Sequence, residues 1–240
     1  MDRSPITLYA FAISPFVQKV AAILDYKKLP YRPLFVHPQR KGEIKFSTKK
    51  LVPIIDDGGT IVEDSTDIAL YLEERYPTPP ALPTDSAARK AALTIEDWVD
   101  KSFIPDFYVA NNFGRPANRK RVVGALLGTA PFNAVERVVL PLASTFVLRK
   151  LIAEATSKVP QVGRALDAFE ERLGAGPFLG GQPAVSVADL AAYAVTSFIV
   201  DNRMEGADAV AGRAKIVAWM GRVRPLTSDG RRMLPAGVAV

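Results

Sequence analysis

The period of the apolar positions changes part-way along the chain. Ile6 to Phe11 (ITLYAF) is a short apolar, β-branched and aromatic run, which predicts a buried strand. Ser14-Pro15 follows with the chemistry of an N-cap and first helical residue. Val17, Val20, Ala21 and Leu24 then recur at helical spacing, predicting a helix to about Lys27. After Pro30, Tyr31 to Val36 reads as a second strand, so the unit is two parallel strands joined by a helical crossover. A polar connection over 44–50, with room for a short helix, leads to the strand Leu51–Ile55, which contains Pro53. A proline there implies either a cis Val52–Pro53 bond or a bulged strand. Asp56-Asp57-Gly58-Gly59 is a hairpin turn signal, and Thr60–Val62 is the returning strand. Asp64 or Ser65 then caps a helix carrying Ile68, Ala69, Tyr71 and Leu72, which stops at Tyr76-Pro77.

Residues 78–85 (TPPALPTD) are proline-rich and read as a linker. Beyond Ala87 strand patterning disappears. Helical spacing predicts helices over 87–112, 119–129, 133–157, 160–174, 187–200 and 211–223. The expected division is an α/β unit of order β-α-β-β-β-α over 1–78, a linker over 79–86, an all-α unit over 87–225 and a loosely packed tail over 226–240. A long helical insertion is expected near 113–160. Ser186-Val187-Ala188-Asp189 has capping-box spacing. Asp189 is acidic within an apolar run and admits a catalytic reading, but a cap explains it more simply.

Composition removes several chemistries. There is no cysteine, so disulfides, thiolate metal sites and a thiol nucleophile are excluded. No cluster of His, Asp and Glu has metal-ligand spacing, so no metal is expected. The only histidine, His37, reads as a loop residue. The start, MDRSPITLYAF, lacks a basic stretch followed by an apolar run, which suits a cytoplasmic protein. The most apolar region, 122–152, is interrupted by charges and prolines and falls short of the ~20 apolar residues of a membrane span. It reads as buried core helix, with an amphipathic surface helix as the alternative. The net charge of +6 suits a solvated basic surface. No basic stripe is interleaved with aromatics, so no nucleic-acid partner is expected.

LVPIIDDGGTIVEDSTDIALYLEERYP (51–77) and GPFLGGQPAVSVADLAAYA (176–194), with the β-α-β-β-β-α order, resemble the glutathione S-transferase superfamily. The resemblance implies a thioredoxin-like N-terminal domain followed by an all-helical domain. EIKFSTKKLVPII (43–55) and the helical insertion are similar to type-2 prostaglandin E synthase and its bacterial relatives. That family carries Cys-Pro-Phe-Cys where this chain has Ser14-Pro15-Phe16-Val17. ISPFV (13–17) with VPIIDDG (52–58) is also similar to bacterial β-etherase-type transferases.

The family resemblance implies glutathione as co-substrate and an apolar small-molecule electrophile. The net negative charge of glutathione would be drawn to a cationic surface. Such an enzyme must hold a thiolate, and a free thiol near pKa ~8.5 is mostly protonated at neutral pH. Ser14, at the start of the first helix, could donate to the sulfur in a field that favours an anion. It could equally be a cap alone. Tyr9 is the alternative donor, and otherwise a core residue. The resemblance implies glutathione contacts at Phe16, the Val52 backbone before Pro53, Asp64 for the γ-glutamyl ammonium and Ser65 for its carboxylate. The glycyl carboxylate needs a cation from 37–50, where Lys41 and Lys50 are preferred over His37, Gln39, Arg40 and Lys49. An electrophile pocket between the domains is expected at Phe11, Ile13, Tyr108 and Asn111. A homodimer fits the superfamily. A non-catalytic glutathione- or ligand-binding module, and a glutathione-dependent isomerase or ether-cleaving enzyme, stay open on the same pocket.

Overall fold

The computed structural model describes residues 4–228 and residue 233, without the side chains of 141–145 and 147. Four strands form one sheet: β1 (Ile6–Ala10), β2 (Tyr31–Phe35), β3 (Ile54–Asp57) and β4 (Thr60–Glu63), in the order β2-β1-β3-β4. β1 and β2 are parallel, joined by helix α1 (Pro15–Tyr26), and β3 runs antiparallel to both β1 and β4. Pro33 sits on β2, an edge strand, where its missing N–H interrupts no ladder. β3 starts at Ile54 and not Leu51, because Pro53 has no donor to pair. Helix α2 (Ser65–Arg75) closes the unit, so the predicted element order holds.

Alternation along β1 sorts its side chains. Ile6, Leu8 and Ala10 are buried against α1, in the main core. Tyr9 points to the other face, into a small cluster with Val36, Ile44 and Ile54. Its ring meets Phe46 edge-on at 5.3 Å.

The second unit is helical throughout its described residues. Helix α3 (Ser86–Trp98) runs without a break into a π-helical segment, Val99–Val109, and α4 (Ala110–Gly114). Pro105 explains the widened turns: it has no N–H to give, and its ring would strike the preceding turn of an α-helix. Then come α5 (Pro116–Thr129), α6 (Ala134–Val147), α7 (Arg149–Lys158), α8 (Val162–Leu173), α9 (Val187–Asp201), α10 (Ala207–Ala211) and α11 (Ala214–Val223). The segment expected as one helix over 133–157 is therefore two.

Every residue of α9 from Val187 to Ile199 is buried, and α1 packs directly on it. Such a helix must satisfy its polar groups internally. Thr196 donates to the Ala192 carbonyl at 2.8 Å. Asp189 accepts the N–H groups of Leu179 and Ser186, the Ser186 hydroxyl and the Trp219 indole N–H, at 2.9–3.0 Å. It is the capping-box residue, and its position beneath the loop 174–183 serves the fold.

The linker is clamped. Lys27, at the end of α1, is buried and its ammonium bonds Glu73 at 2.7 Å and the carbonyls of Tyr76 and Pro79 at 2.7 and 3.0 Å. Glu73 in turn accepts the N–H groups of Ala81 and Leu82. The Ala81 carbonyl accepts the Val187 N–H of α9 at 2.8 Å.

Two expectations change. The apolar stretch 122–152 is not all core: Val135, Val138, Val139 and Phe146 on α6 are 70, 68, 50 and 73% exposed. Polar contacts hold this helix to the first unit. Glu136 pairs with Arg40 and accepts from His37 Nε2 at 3.2 Å. His37 Nδ1 accepts the N–H groups of Gln39 and Arg40, which places the ring proton on Nε2. In the tail, Leu226 is exposed as expected, but Met233 is buried in the main core. The rest of 229–240 lies outside the described residues.

Candidate functional site

A cleft of ≈ 200 Å³ is lined by Phe16, Leu51, Val52, Pro53, Ser65 and Thr66, with charges from Lys49, Glu63, Asp64 and Asp100. Local sequence builds three of its walls. The Val52–Pro53 bond is cis. Among the described residues neither the N–H nor the C=O of Val52 forms a hydrogen bond, so an open backbone edge faces the cleft.

Next to it stands the N-terminus of α2. Asp64 has a left-handed φ of 82° and caps the helix, accepting from Thr66 N–H at 2.9 Å and Asp67 N–H at 3.4 Å. A non-glycine residue held there stores strain, which recurs at ligand sites. The first-turn N–H groups and helix dipole make this end attractive to an anion.

Ser65 is buried, and its hydroxyl accepts from the ammonium of Lys19 at 3.3 Å. Lys19 is fully buried in the middle of α1. It also bonds Thr66 Oγ1 at 3.3 Å, Asp100 at 2.8 Å and Glu96. One ammonium thus ties α1, α2, the end of α3 and the start of the π-helical segment. Two carboxylates share it, so the cluster carries a net negative charge.

Asp100 gives one oxygen to Lys19, while its Oδ1 is buried with no partner among the described residues. Burial pushes its carboxyl up to about 6. Lys19 opposes that rise, and Glu96 and Asp64 add to it. Asp100 was absent from the sequence-derived candidates. The one signal for it is a carboxylate in the first turn of the proline-containing segment.

The structure brings six of the sequence candidates together: Phe16, Lys49, Val52, Pro53, Asp64 and Ser65. It separates the others. Lys41 and Lys50 do not line the cleft. The Lys50 backbone takes a left-handed φ of 50° and donates to Ser47 Oγ at 2.8 Å, while Ser47 donates to Glu63 at 2.8 Å. That turn directs the neighbouring lysine inward. Ser14 caps α1 by accepting from Val17 N–H at 3.4 Å. It lies two residues before Phe16 and is not part of the cleft lining. A hydroxyl that accepts keeps its proton to donate. Tyr9 faces the opposite side of the sheet from α1, so its core reading is the one the geometry supports.

The expected electrophile pocket does not assemble as read. Tyr108 and Asn111 are fully buried. Tyr108 donates to the Ile13 carbonyl at 3.1 Å. Asn111 donates to the Phe107 carbonyl and accepts from Arg115, both at 2.9 Å. Phe11 packs in the small cluster behind the sheet, and Ile13 packs on the main core. Tyr108 therefore acts by holding the β1–α1 turn that carries Ser14. Tyr108→Phe is expected to lower unfolding free energy by about 1 kcal/mol, the worth of one hydrogen bond. Urea denaturation measures it, and an unchanged midpoint would show that the bond contributes nothing.

No described group of His, Cys, Asp and Glu has the arrangement of a metal site. Among the described residues no helix is long and apolar enough to cross a membrane.

Two family models match the chain. "Glutathione S-transferase, N-terminal domain" covers residues 8–80, and "Glutathione S-transferase, C-terminal domain" covers 149–222. Prostaglandin E synthase 2 of Danio rerio is 38% identical over 71 residues, 30% of this chain and 19% of that protein. Maleylpyruvate isomerase of Ralstonia sp. is 35% identical over 88 residues, 35% of this chain and 42% of that protein. The matched stretches span less than half the length of these relatives. The β-etherase of Sphingobium sp. strain SYK-6 superposes with a TM-score of 0.67 at 23% identity, covering 96% of this chain and 98% of that one. Glutathione S-transferase III in its apo form gives 0.67 at 20% identity, covering 99% and 98%. At those identities the superpositions speak to the fold, a thioredoxin-like sheet followed by a helical domain. With both domains matched in order and the fold reproduced along its length, the chain belongs to the glutathione S-transferase superfamily.

Proposed function

We propose that the cleft binds extended glutathione and that the bound thiolate attacks an apolar electrophile. One observation carries the reading: the open backbone edge of Val52 lies in the same cleft as the Asp64–Ser65 helix start. An extended peptide pairs with such an edge through its own backbone. The γ-glutamyl carboxylate then meets the N-terminus of α2 and Ser65. Its ammonium meets Asp64 and Asp100, and the glycyl carboxylate meets Lys49. Ser14 donates to the sulfur and holds it as thiolate. The relatives, an isomerase and a β-etherase among them, make an isomerising or ether-cleaving use of the same thiolate the second reading. A binding module without turnover is the third, favoured by the place of Ser14 outside the cleft lining.

Retention on immobilised glutathione with elution by free glutathione tests the binding. Retention of the wild type and its loss in Asp64→Ala is the expected result. A folded wild type that is not retained would refute the reading. Turnover with an aryl halide, an enone and a benzylic ether separates the transferase from the ether-cleaving enzyme, and silence on all three favours the module.

Asp100 adds a pH dependence. Its carboxyl titrates near 6, and only the ionised form attracts the ammonium. Glutathione affinity is expected to rise as pH passes upward through 6 and then level off. In Asp100→Asn that rise disappears, and affinity at neutral pH falls about tenfold, as for a lost charge-assisted hydrogen bond of ~1.5 kcal/mol. Calorimetric titration across this range reads both, and an unaltered profile in the variant would remove Asp100 from the site.

A further inference from the structure

The helix α6 turns an apolar stripe to solvent. Val135, Val138, Val139 and Phe146 recur at i, i+3, i+4 and i+11, so they share one side of the helix, and all four are exposed. Glu136, about 100° round the helix from the stripe, anchors the helix to Arg40 and His37. The helix is therefore fixed in place with its apolar side uncovered.

Charge is concentrated around it. Between residues 115 and 153 stand seven Arg and Lys residues and a single acid, Glu136. That segment alone accounts for the formal charge of +6, since the rest of the chain holds 24 basic and 24 acidic residues. Arg149 lies over the Phe146 ring, 5.2 Å from its centroid, at one end of the stripe. Lys150 is exposed next to Arg149, and Lys120 is exposed on α5, which packs against α6; Arg137 is turned to the other side of the helix, where it bonds the carbonyls of Leu127, Phe132 and Ala130.

We propose that α6 docks the protein on an anionic lipid surface, with the valines and Phe146 entering the interface and the flanking cations meeting headgroup phosphates. A fixed amphipathic helix with basic neighbours has the two attractions that interfacial binding sums, apolar burial and charge. A second copy fits less well. It would bring two segments of the same net charge, +6 over residues 115–153, against each other, and like charges oppose such an interface. A nucleic acid would use the cations and leave the apolar stripe wet.

Co-sedimentation of the full chain with extruded vesicles tests this, using phosphatidylcholine alone and a mixture containing phosphatidylglycerol. Binding to the anionic vesicles, weakened by salt and weak on phosphatidylcholine alone, is the expected result. The double variant Val135→Glu, Val139→Glu is expected to lower the partition coefficient at least about tenfold with an unchanged melting temperature. Arg149→Glu with Lys150→Glu is expected to lower it on anionic vesicles only. Failure of the wild type to sediment with anionic vesicles overturns the proposal, as does equal binding by the valine variant. A wild-type dimer that the valine variant dissolves, with no vesicle binding, assigns the face to a second copy and overturns it too.

Discussion

Lys19→Met is expected to destabilise the protein by about 3–5 kcal/mol, the range for breaking a buried ion pair from one side. The methionine fills similar volume, so the loss reports charge and not a cavity. Glu96 and Asp100, one turn apart on the continuous helix of the second unit, would be left side by side without the cation that the first unit supplies. Ser65 and Thr66 would lose the donor that fixes their hydroxyls. Thermal unfolding should show a drop of roughly 6–20 °C, at ~2–4 °C per kcal/mol for a chain of this size. Adding Glu96→Gln to the variant should recover part of the loss by removing one uncompensated charge. A loss below about 1 kcal/mol would show that water replaces the ammonium and that the cluster is not a dry ion pair.

Removal of the Ser14 hydroxyl gives the largest expected effect on turnover. A hydrogen bond to a charged group is worth about 1.5–3 kcal/mol, so kcat/KM should fall about 10- to 150-fold at neutral pH. Glutathione affinity should stay nearly constant, because Asp64, Ser65 and the Val52 edge are untouched. The capping role is separable. Ala at an N-cap costs about 1 kcal/mol, whereas Gly costs a few tenths. Ser14→Ala and Ser14→Gly should therefore differ in stability and agree in lost activity. The pH–rate profile of both should move to higher pH as the thiol regains its ordinary pKa. Full activity in Ser14→Gly would make Ser14 a cap alone and turn the search for the sulfur donor elsewhere.

Features set by neighbouring residues were legible in the sequence. Ser14-Pro15, Val52-Pro53 and Asp64-Ser65 are local signals of cap, cis bond and helix start, and each stands where it was read. Alternation likewise sorted Tyr9 from Leu8 and Ala10. What escaped depends on distant partners. Lys19 looks like the polar side of an amphipathic helix, and its burial follows only when residues 81 positions away close over it. Tyr108 and Asn111 are buried and bonded to Ile13, Phe107 and Arg115, and for Tyr108 that partner is 95 residues away, which local spacing does not reveal. Lys41 and Lys50 both take a left-handed φ of 50°, which their residue type does not announce, and the choice among Lys41, Lys49 and Lys50 follows the path of that loop. The apolar run around α6 shows that hydrophobic content alone cannot say which side of a helix is covered.

The clamped linker bears on motion. A chain segment rich in proline between two domains is the usual place for a hinge. Here Lys27 and Glu73 take up its carbonyls and N–H groups, and Ala81 is tied to α9. Pulling the linker away would take the Pro79 carbonyl from Lys27, the Ala81 and Leu82 N–H groups from Glu73 and the Ala81 carbonyl from Val187 at once. Ligands must therefore enter and leave while the two domains keep their relative position, through rearrangement of the 41–50 loop and the side chains around the cleft. Amide exchange at Ala81 and Leu82 should accordingly be as slow as in the core, and should not quicken or slow when the cleft fills.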